Sequence, residues 1–276
     1  MSPEEMEIAA RLIRATPEAE ALSTLAKRTI DAKIRNSILL FGPRDSGKTL
    51  LTQLFVGKIM REHGAKTRDF SMLKLLSHSG YEEFQGLRNA IEEKDAFAVT
   101  VFGIDSLAGQ GALEERFRIP AERTLSNIIL EHNEGNPNGG GLFLATCHEP
   151  HLLSSFLVES FKYKVYVPYT NTGTLEKYLQ ELGLADARET ESLLVLVWGG
   201  LLPSFSSLTN AFASLDPAVL KEGDAAKVAE SILERIPDSA FNVDGGYIRS
   251  YEQLNERVIS QSRSFLAELS PSPRQD

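Results

Sequence analysis

The chain has 276 residues, of which 42% are hydrophobic and 24% are charged, and its net charge is −9. This length allows one large domain or a domain with a smaller partner, and the negative charge argues against a nucleic-acid partner held through its phosphates. No apolar run approaches the roughly 20 residues that span a bilayer, and the start "MSPEEMEIAARLIR" has no apolar leader, so we expect a cytoplasmic protein, free or peripheral on membranes.

Helical spacing and helix-start signals predict two N-terminal helices in residues 1–35. The apolar run 36–42 predicts a strand, and after a glycine-rich turn the spacing is helical up to Gly64. The same reasoning predicts strands in 69–76, 96–103, 141–146 and 163–168, and helices in 81–94 and 123–135. Short apolar strands that alternate with helices predict an α/β fold with a parallel sheet covered on both sides.

The pattern changes after Pro168, because only helices are predicted beyond it. Their ranges are 173–183, 187–199, 204–215 and 224–237, followed by one helix in 250–269 and a disordered stretch in 270–276. We therefore predict N-terminal helices in 1–35, an α/β nucleotide-binding subdomain in 36–169, an all-helical lid in 170–237 and a C-terminal helix with a tail in 238–276.

The turn after the first strand reads "GPRDSGKT", which fits the phosphate-binding pattern G-x-x-x-x-G-K-[ST] between a strand and a helix. Backbone N–H groups of such a loop surround a phosphate, Lys48 can reach the β and γ oxygens, and the Thr49 hydroxyl can hold Mg²⁺. We therefore predict a site for ATP or ADP with Mg²⁺. Its residues are Gly42, Pro43, Arg44, Asp45, Ser46, Gly47, Lys48, Thr49 and Leu50.

The strand that should carry the catalytic acids reads "VTVFGIDSLAG". Many P-loop ATPases end this strand with two acids, one for Mg²⁺ and one for the attacking water, but Phe102 and Gly103 stand here. Our preferred interpretation is nucleotide binding with little or no hydrolysis. One alternative is an active ATPase with Asp105 as a displaced Mg²⁺ ligand and Glu114 or Glu115 acting on water. Another is an interaction scaffold whose phosphate loop is vestigial.

Cysteine and histidine residues offer little further chemistry. Cys147 is the only cysteine, so the chain has no internal disulfide. His148 and His151 are three residues apart, but no carboxylate or second cysteine stands at a spacing that would complete a metal site with them. This pattern predicts exposed loop residues and not metal ligands.

The order of these segments resembles the AAA family of ring-forming ATPases. The resemblance covers residues 16–237 and runs through "SILLFGPRDSGKTLL", "VTVFGIDSL", "ERTLSNIILEH", "GLFLATCHEPHLL" and "YKVYVP". Within that family, "NIILEHNEGNPNGGGLFLATCHEPHLL", Val165–Gly183 and Leu196–Pro217 resemble the second ATPase domain of the N-ethylmaleimide-sensitive fusion proteins. The resemblance implies a P-loop fold with a three-layer parallel sheet, a ring made of this chain alone or with a catalytic relative, and SNARE or adaptor complexes of vesicle traffic as partners.

Position by position, the resemblance also implies that catalytic groups have been replaced. The paired acids fall on Phe102 and Gly103. The polar sensor of the γ-phosphate falls on Thr146–Cys147, where Thr146 is the candidate hydrogen-bond donor and cysteine is a poor substitute for asparagine.

The two remaining catalytic positions are changed as well. The arginine-finger segment contains only Lys162 and Lys164, which cannot form the bidentate clamp of an arginine. The sensor position of the lid falls on the apolar pair Leu202–Pro203. Loss of an arginine finger alone lowers the rate about 10³- to 10⁵-fold in other phosphoryl-transfer systems, so these changes together predict turnover near background.

Overall fold

The protein is described by a computed structural model that covers residues 7–8, 10–12, 16–76, 80–93, 95–108, 115–135, 140–170, 172–184, 186–198, 202–216, 219, 224–236 and 245–269. Within these residues five parallel strands form one sheet in the order β2-β3-β4-β1-β5. The strands are β1 (Arg35–Phe41), β2 (Lys66–Ser71), β3 (Phe97–Phe102), β4 (Gly141–Cys147) and β5 (Tyr163–Tyr166). The predicted parallel α/β sheet is confirmed.

Twelve α-helices, one of them composite, have both bounds within the described residues and accompany the sheet. Those that cover it are α1 (Pro17–Asp31), α2 (Lys48–Leu50, π-helical Leu51–Val56 and Gly57–Glu62), α3 (Met72–Leu75), α4 (Gly80–Ile91), α5 (Glu115–Glu134) and α6 (Ser155–Ser160). The later ones are α7 (Thr172–Glu181), α8 (Ala187–Val197), α9 (Phe205–Ala213), α10 (Ala225–Leu233), α11 (Gly245–Leu254) and α12 (Glu256–Leu269). None of them combines the length and apolarity that crossing a bilayer requires.

The sheet has an apolar layer on each face because successive residues of a strand point in opposite directions. In β1, Ile38 and Leu40 pack with α1, α2 and the lid helices α7 to α10. Leu39 and Phe41 pack with α4, α5 and α6 on the other face. Strand β1, which leads into the loop at Gly42, is therefore packed on both faces.

The sequence prediction of a strand in 69–76 is wrong in its second half. Strand β2 ends at Ser71, and Met72–Leu75 is helical. Met72 and Leu75 are both buried, and a spacing of three residues places two side chains on the same face of a helix. Helix α5 also begins at Glu115, before the predicted residue 123, and includes Pro120.

The C-terminal region differs from its prediction in a second way. The single helix predicted in 250–269 is two helices, α11 and α12, separated at Asn255. The buried Asn255 side chain donates to Tyr251 O (2.9 Å) and accepts from the His151 backbone N–H (3.1 Å), which fixes the break. Most of the first predicted N-terminal helix, Glu114 and residues 270–276 lie outside the described residues.

Helix α12 covers the edge of the sheet. Strand β5 is an edge strand, and its Tyr166 N–H donates to the Ser262 hydroxyl on α12 at 2.7 Å. Phe265 of α12 belongs to one apolar layer and Ile259 to the other. The C-terminal helix therefore takes the place of a sixth strand and satisfies a buried donor that the sheet leaves free.

Candidate nucleotide-binding site

The loop Gly42–Thr49 lies where β1, β4 and β5 end. The N–H of Gly42 donates to Cys147 O (3.3 Å), and a Cβ added at Gly42 would lie 2.1 Å from Val167 O. Glycine is required here because the backbone that follows β5 leaves no room for a side chain. Ligands of open parallel sheets bind at this carboxyl edge, so the fold places the loop at the expected position.

The Lys48 ammonium group lies inside the loop. The residue is 4% exposed, and its Nζ donates to Gly42 O (2.7 Å), Pro43 O (2.6 Å) and Ser46 Oγ (3.3 Å). Burial lowers the pKa of Lys48 to about 8, while the nearby Cys147, Asp105 and Asp45 act in the opposite direction. The group is still mainly charged at pH 7, and it is the cation closest to the loop backbone.

The lid contacts the loop through the first residues of α9. Gly47 has φ 90°, and a Cβ added to it would lie 3.2 Å from the Phe205 ring. The N–H of Phe205 donates to Asp45 O (3.2 Å), and Asp45 itself has φ 57°. The left-handed backbone at these two positions gives the loop its tight curvature.

Two cavities meet at Ser46. The phosphate cavity, of about 260 Å³, is lined by Asp45, Ser46, Gly47, Lys48, Thr49, Leu50, His148 and Ser206. The hinge cavity, of about 290 Å³, is lined by Thr16, Pro17, Glu18, Ser46, Val167, Pro168, Tyr169, Thr170, Gly173, Thr174, Lys177 and Tyr178. The first has the cation and loop backbone that suit phosphates, and the second is large enough for a base and sugar.

The position expected to hold the paired acids has a different backbone. Gly103 is left-handed with φ 69°, and its N–H donates to the Thr146 hydroxyl at 3.0 Å. Thr146 is buried, so this contact ties the end of β3 to β4. Neither Phe102 nor Gly103 can bind a cation or activate water through its side chain.

Asp105 lies in a short 3₁₀ turn, Ile104–Leu107, directly after β3. Its Oδ1 accepts a hydrogen bond from the His148 backbone N–H at 3.0 Å. Among the described residues, no group of three or more histidine, cysteine, aspartate or glutamate side chains could hold a metal ion. Oxygen donors at the loop are the exposed Thr49 hydroxyl and the Asp45 side chain, both of which line the phosphate cavity, and the Asp105 carboxylate acts electrostatically on Lys48.

Both lysines of the arginine-finger segment have partners within the chain. Lys162 Nζ donates to Arg35 O (2.6 Å) at the amino-terminal end of β1, the end away from the Gly42–Thr49 loop. Lys164 is buried and pairs with Glu159 at 3.0 Å, and Arg257 of α12 pairs with the same carboxylate at 2.7 Å. The apolar pair Leu202–Pro203 precedes α9, which instead brings Ser206 to the phosphate cavity.

His148 is the site residue that the sequence reasoning missed. The prediction of an exposed loop residue is wrong for His148, which lines the phosphate cavity, whereas His151 is exposed. Burial and the charge of Lys48 lower the pKa of His148, and Asp105 opposes them. The missing information was the strand order, because β4 lies beside β1 and its first following residues therefore face the loop.

Comparisons with known proteins agree with this architecture. Residues 38–169 match the family model "ATPase family associated with various cellular activities (AAA)". The solved FIGL-1 AAA domain in complex with ADP superposes with a TM-score of 0.56 at 16% identity, covering 87% of this chain and 86% of that one. At this identity the likeness concerns the fold, which is the AAA P-loop fold.

Two curated relatives are longer than this chain, which matches only part of each. The chain is 26% identical over 250 residues to chromosomal replication initiator protein DnaA 1 of Chlamydia muridarum, covering 83% of this chain and 52% of that protein. It is 27% identical over 139 residues to ATP-dependent zinc metalloprotease FtsH 1 of Methylacidiphilum infernorum, covering 48% of this chain and 21% of that protein. The chain thus spans about half of the first relative and a fifth of the second.

Proposed function

We propose that this chain, which carries an AAA-family module over residues 38–169, binds ATP or ADP mainly as a structural ligand and hydrolyses it slowly or not at all. The observation that carries the proposal is the Gly42–Thr49 loop with its buried Lys48 ammonium, which opens into the phosphate cavity. The hinge cavity beside it favours a whole nucleotide over free phosphate.

Mg²⁺, when bound, would neutralise charge on the phosphates, and Thr49 is the residue placed to hold it. The chain's own residues then do the binding. Lys48 supplies the positive charge, the loop N–H groups from Ser46 onward surround a phosphate, and Ser206 reaches the cavity from the lid. A nucleotide present at a free concentration 100 times its dissociation constant would add about 2.7 kcal/mol to the free energy of unfolding.

Slow hydrolysis is supported by the partners of the side chains at the catalytic positions. Thr146 accepts from Gly103 N–H and Asp105 accepts from His148 N–H. Lys162 and Lys164 are bonded to groups of their own chain. In the described part of these segments, neither lysine is therefore free to act as the arginine finger of phosphoryl-transfer enzymes, and Asp105 carries a structural hydrogen bond.

The experiment that tests binding is a fluorescent-nucleotide titration of the wild-type chain and of Lys48→Ala. We expect micromolar-range binding by the wild type and its loss in the variant. Absence of binding to the wild type would contradict the proposal and favour the scaffold hypothesis. Phosphate release measured on the same wild-type sample should stay close to the rate of uncatalysed hydrolysis.

A second candidate function is an active ATPase that uses Asp105 as its Mg²⁺ ligand. The observation that favours it is the nearness of Asp105 to Lys48, where its negative charge raises the pKa of the lysine. Glu114 or Glu115 would act on the water in this hypothesis. Measurable phosphate release that Asp105→Asn abolishes would establish this function and overturn the first.

The assembly and the pathway are also proposals. Resemblance to the second ATPase domain of the N-ethylmaleimide-sensitive fusion proteins supports a homo- or hetero-oligomeric ring and a role with SNARE or adaptor complexes in vesicle traffic. Light scattering with and without ATP tests the ring, and a monomer under both conditions would contradict it. Co-sedimentation with purified SNARE complexes in the presence of ATP tests the partner, and no difference from an ATP-free sample would contradict that part.

A further inference from the structure

We propose that a second ligand site lies in a groove at the β2 edge of the sheet and that it binds a small zwitterion of the α-amino-acid class. This edge groove has a volume of about 230 Å³ and is formed by α2, β2 and β3 together with Leu144 of β4. Among the described residues, it has no lining residue in common with the phosphate cavity or the hinge cavity. The inference therefore goes beyond the proposed function and does not depend on it.

The floor of the edge groove follows from the strand register. Asp69, Thr100 and Leu144 are aligned partners in β2, β3 and β4, so they form one row across a single face of the sheet. Thr67 and Ala98 belong to the next row toward the amino-terminal ends of the strands. Because the first row runs from an edge carboxylate to a buried leucine, the floor has a charged end and an apolar end.

The roof of the edge groove is helix α2, which is π-helical over Leu51–Val56. Such wide turns occur frequently at functional sites. Gly57 and Arg61 follow this segment one turn apart, and a Cβ added at Gly57 would lie 3.3 Å from Arg61 Nη1. The missing side chain at Gly57 therefore leaves room for the guanidinium group of Arg61, which lines the groove.

Opposite charges line the edge groove without pairing. Arg61 and Asp69 both belong to its wall, and within the described residues neither side chain forms a hydrogen bond or an ion pair. The two cations of β2, Lys66 and Arg68, bond instead to Glu93 on the opposite face of the sheet. A ligand that carries both a carboxylate and an ammonium group would satisfy both charges, whereas Asp69 repels a simple anion and Arg61 repels a metal cation.

A buried hydroxyl beside these charges is also unused. Thr100 is 5% exposed and lines the edge groove, yet within the described part of the chain its hydroxyl has no hydrogen-bond partner. Buried polar groups are normally paired. The register places Thr100 next to Asp69, so a ligand that contacts the carboxylate is also in a position to bond to this hydroxyl.

The size of the edge groove limits the ligand to a small molecule. Its volume of about 230 Å³ is below the roughly 300 to 1,000 Å³ of pockets for drug-sized ligands. A free amino acid with a short side chain suits this space. Its carboxylate would bind Arg61, its ammonium group would bind Asp69, and its side chain would lie on Ala98 and Leu144.

The test is titration calorimetry of the full 276-residue chain with each standard L-amino acid. An amino acid that binds is then compared with its α-hydroxy acid, which lacks the ammonium group, and with its amide, which lacks the carboxylate. The variants are Arg61→Gln and Asp69→Asn, which each remove one charge, and Thr100→Val, which removes the hydroxyl. Lys58→Gln and Asp95→Asn are the matched controls, because both side chains are exposed and neither lines the groove. Thermal unfolding without ligand shows whether each variant is folded.

We expect an amino acid with a short side chain to bind the wild type and both of its derivatives to bind about tenfold more weakly, as for loss of one hydrogen bond to a charged group. In Arg61→Gln the amino acid and its amide should bind equally, because the partner of the carboxylate is gone. In Asp69→Asn the amino acid and its α-hydroxy acid should bind equally. Thr100→Val should weaken binding about threefold or more, and both controls should match the wild type.

Three results would overturn the inference. They are no binding by any standard amino acid, binding that is unchanged in both Arg61→Gln and Asp69→Asn, and a loss in these variants that is the same for the amino acid and both derivatives. Lys48→Met should bind the amino acid as the wild type does, and loss of binding there would place the ligand in the phosphate cavity instead. Nucleotide titration tests the proposed function separately, so a chain that binds one class of ligand and not the other distinguishes the two failures.

Discussion

The backbone N–H of His148 donates a 3.0 Å hydrogen bond to the carboxylate of Asp105, and this contact joins the first residue after β4 to the turn after β3. An acid in this arrangement has a structural role whether or not it also binds a metal. Asp105→Ala should lower the free energy of unfolding by about 1 to 2 kcal/mol, because it leaves a half-buried N–H without its charged partner. Asp105→Asn keeps an acceptor oxygen and should lose less than about 1 kcal/mol in urea unfolding. Equal losses in the two variants would contradict this role.

Gly103 has a backbone that resists replacement by an acid. Its φ of 69° is left-handed, although within the part of the chain that the structure describes an added Cβ would meet only Ser106 Oγ, at 3.6 Å. Gly103→Glu should therefore lower the free energy of unfolding by about 1 to 2 kcal/mol through backbone strain alone. Gly103→Asn should lose less, because asparagine tolerates this region. We also expect no gain in phosphate release from Gly103→Glu, and a rise above the wild-type rate would show that the missing acid alone limits hydrolysis.

Lys48→Met separates ligand binding from stability. The substitution keeps the apolar stem of the side chain and removes both its charged hydrogen bonds and the desolvation of a buried cation, which act in opposite directions. We expect the ligand-free free energy of unfolding to change by less than about 1 kcal/mol and ATP affinity to fall at least about a hundredfold. Lys58→Met, on the exposed side of α2, is the control and should bind as the wild type does. ATP protection against thermal unfolding in Lys48→Met would refute the role of the lysine.

His132 makes the stability of the fold depend on pH. The ring is fully buried between Phe97 and Phe143, Nε2 contacts Asn36 O at 3.0 Å, and Nδ1 has no hydrogen-bond partner among the described residues. Burial lowers the pKa of His132 to about 4 from 6.5, so the folded protein favours the neutral ring. Its contribution is complete above about pH 6.5 and declines as the pH falls toward 4, where the unfolded chain binds the proton first.

The size of this acid effect follows from the shift. Each pKa unit corresponds to about 1.4 kcal/mol, so the loss between pH 6.5 and 4 should reach about 3 kcal/mol. Urea unfolding at several pH values should show a flatter acid limb for His132→Gln than for the wild type. A matched His151→Gln substitution at the exposed site serves as the control. Parallel curves for the wild type and His132→Gln would exclude His132 as the cause of the slope.

Ser262 of α12 provides a hydrogen-bond acceptor for a backbone N–H of the edge strand β5. Its hydroxyl is fully buried and accepts from the Tyr166 N–H at 2.7 Å. Ser262→Ala should lower the free energy of unfolding by about 1 to 3 kcal/mol, because a buried N–H loses its only protein acceptor in the described chain. Ser264→Ala, two residues further on the exposed side of α12, should change it by less than about 0.5 kcal/mol. Hydrogen exchange of the Tyr166 amide provides a direct local measurement, and unchanged protection in Ser262→Ala would contradict this assignment.

The sequence by itself determined the class of the fold and the phosphate loop. Short apolar strands alternating with helices predict a parallel sheet because both of its faces must be buried, and "GPRDSGKT" between a strand and a helix predicts the loop because the glycines and Lys48 act locally. It also predicted four lid helices, whose described counterparts are α7, α8, α9 and α10. All of these features are set by neighbouring residues and their spacing.

Tertiary structure decided which distant residues meet at that loop. The strand order places β4 beside β1 and brings His148 to the cavity, and the lid brings Phe205 onto Gly47. The apolar run of residues 72–75 predicted a strand, but the segment is helical because a helix buries both Met72 and Leu75 on one face. Asn255 separates the last two helices through a hydrogen bond to a loop about a hundred residues earlier in the chain. The sequence could not fix these features, because each depends on contacts between segments whose proximity only the folded sheet creates.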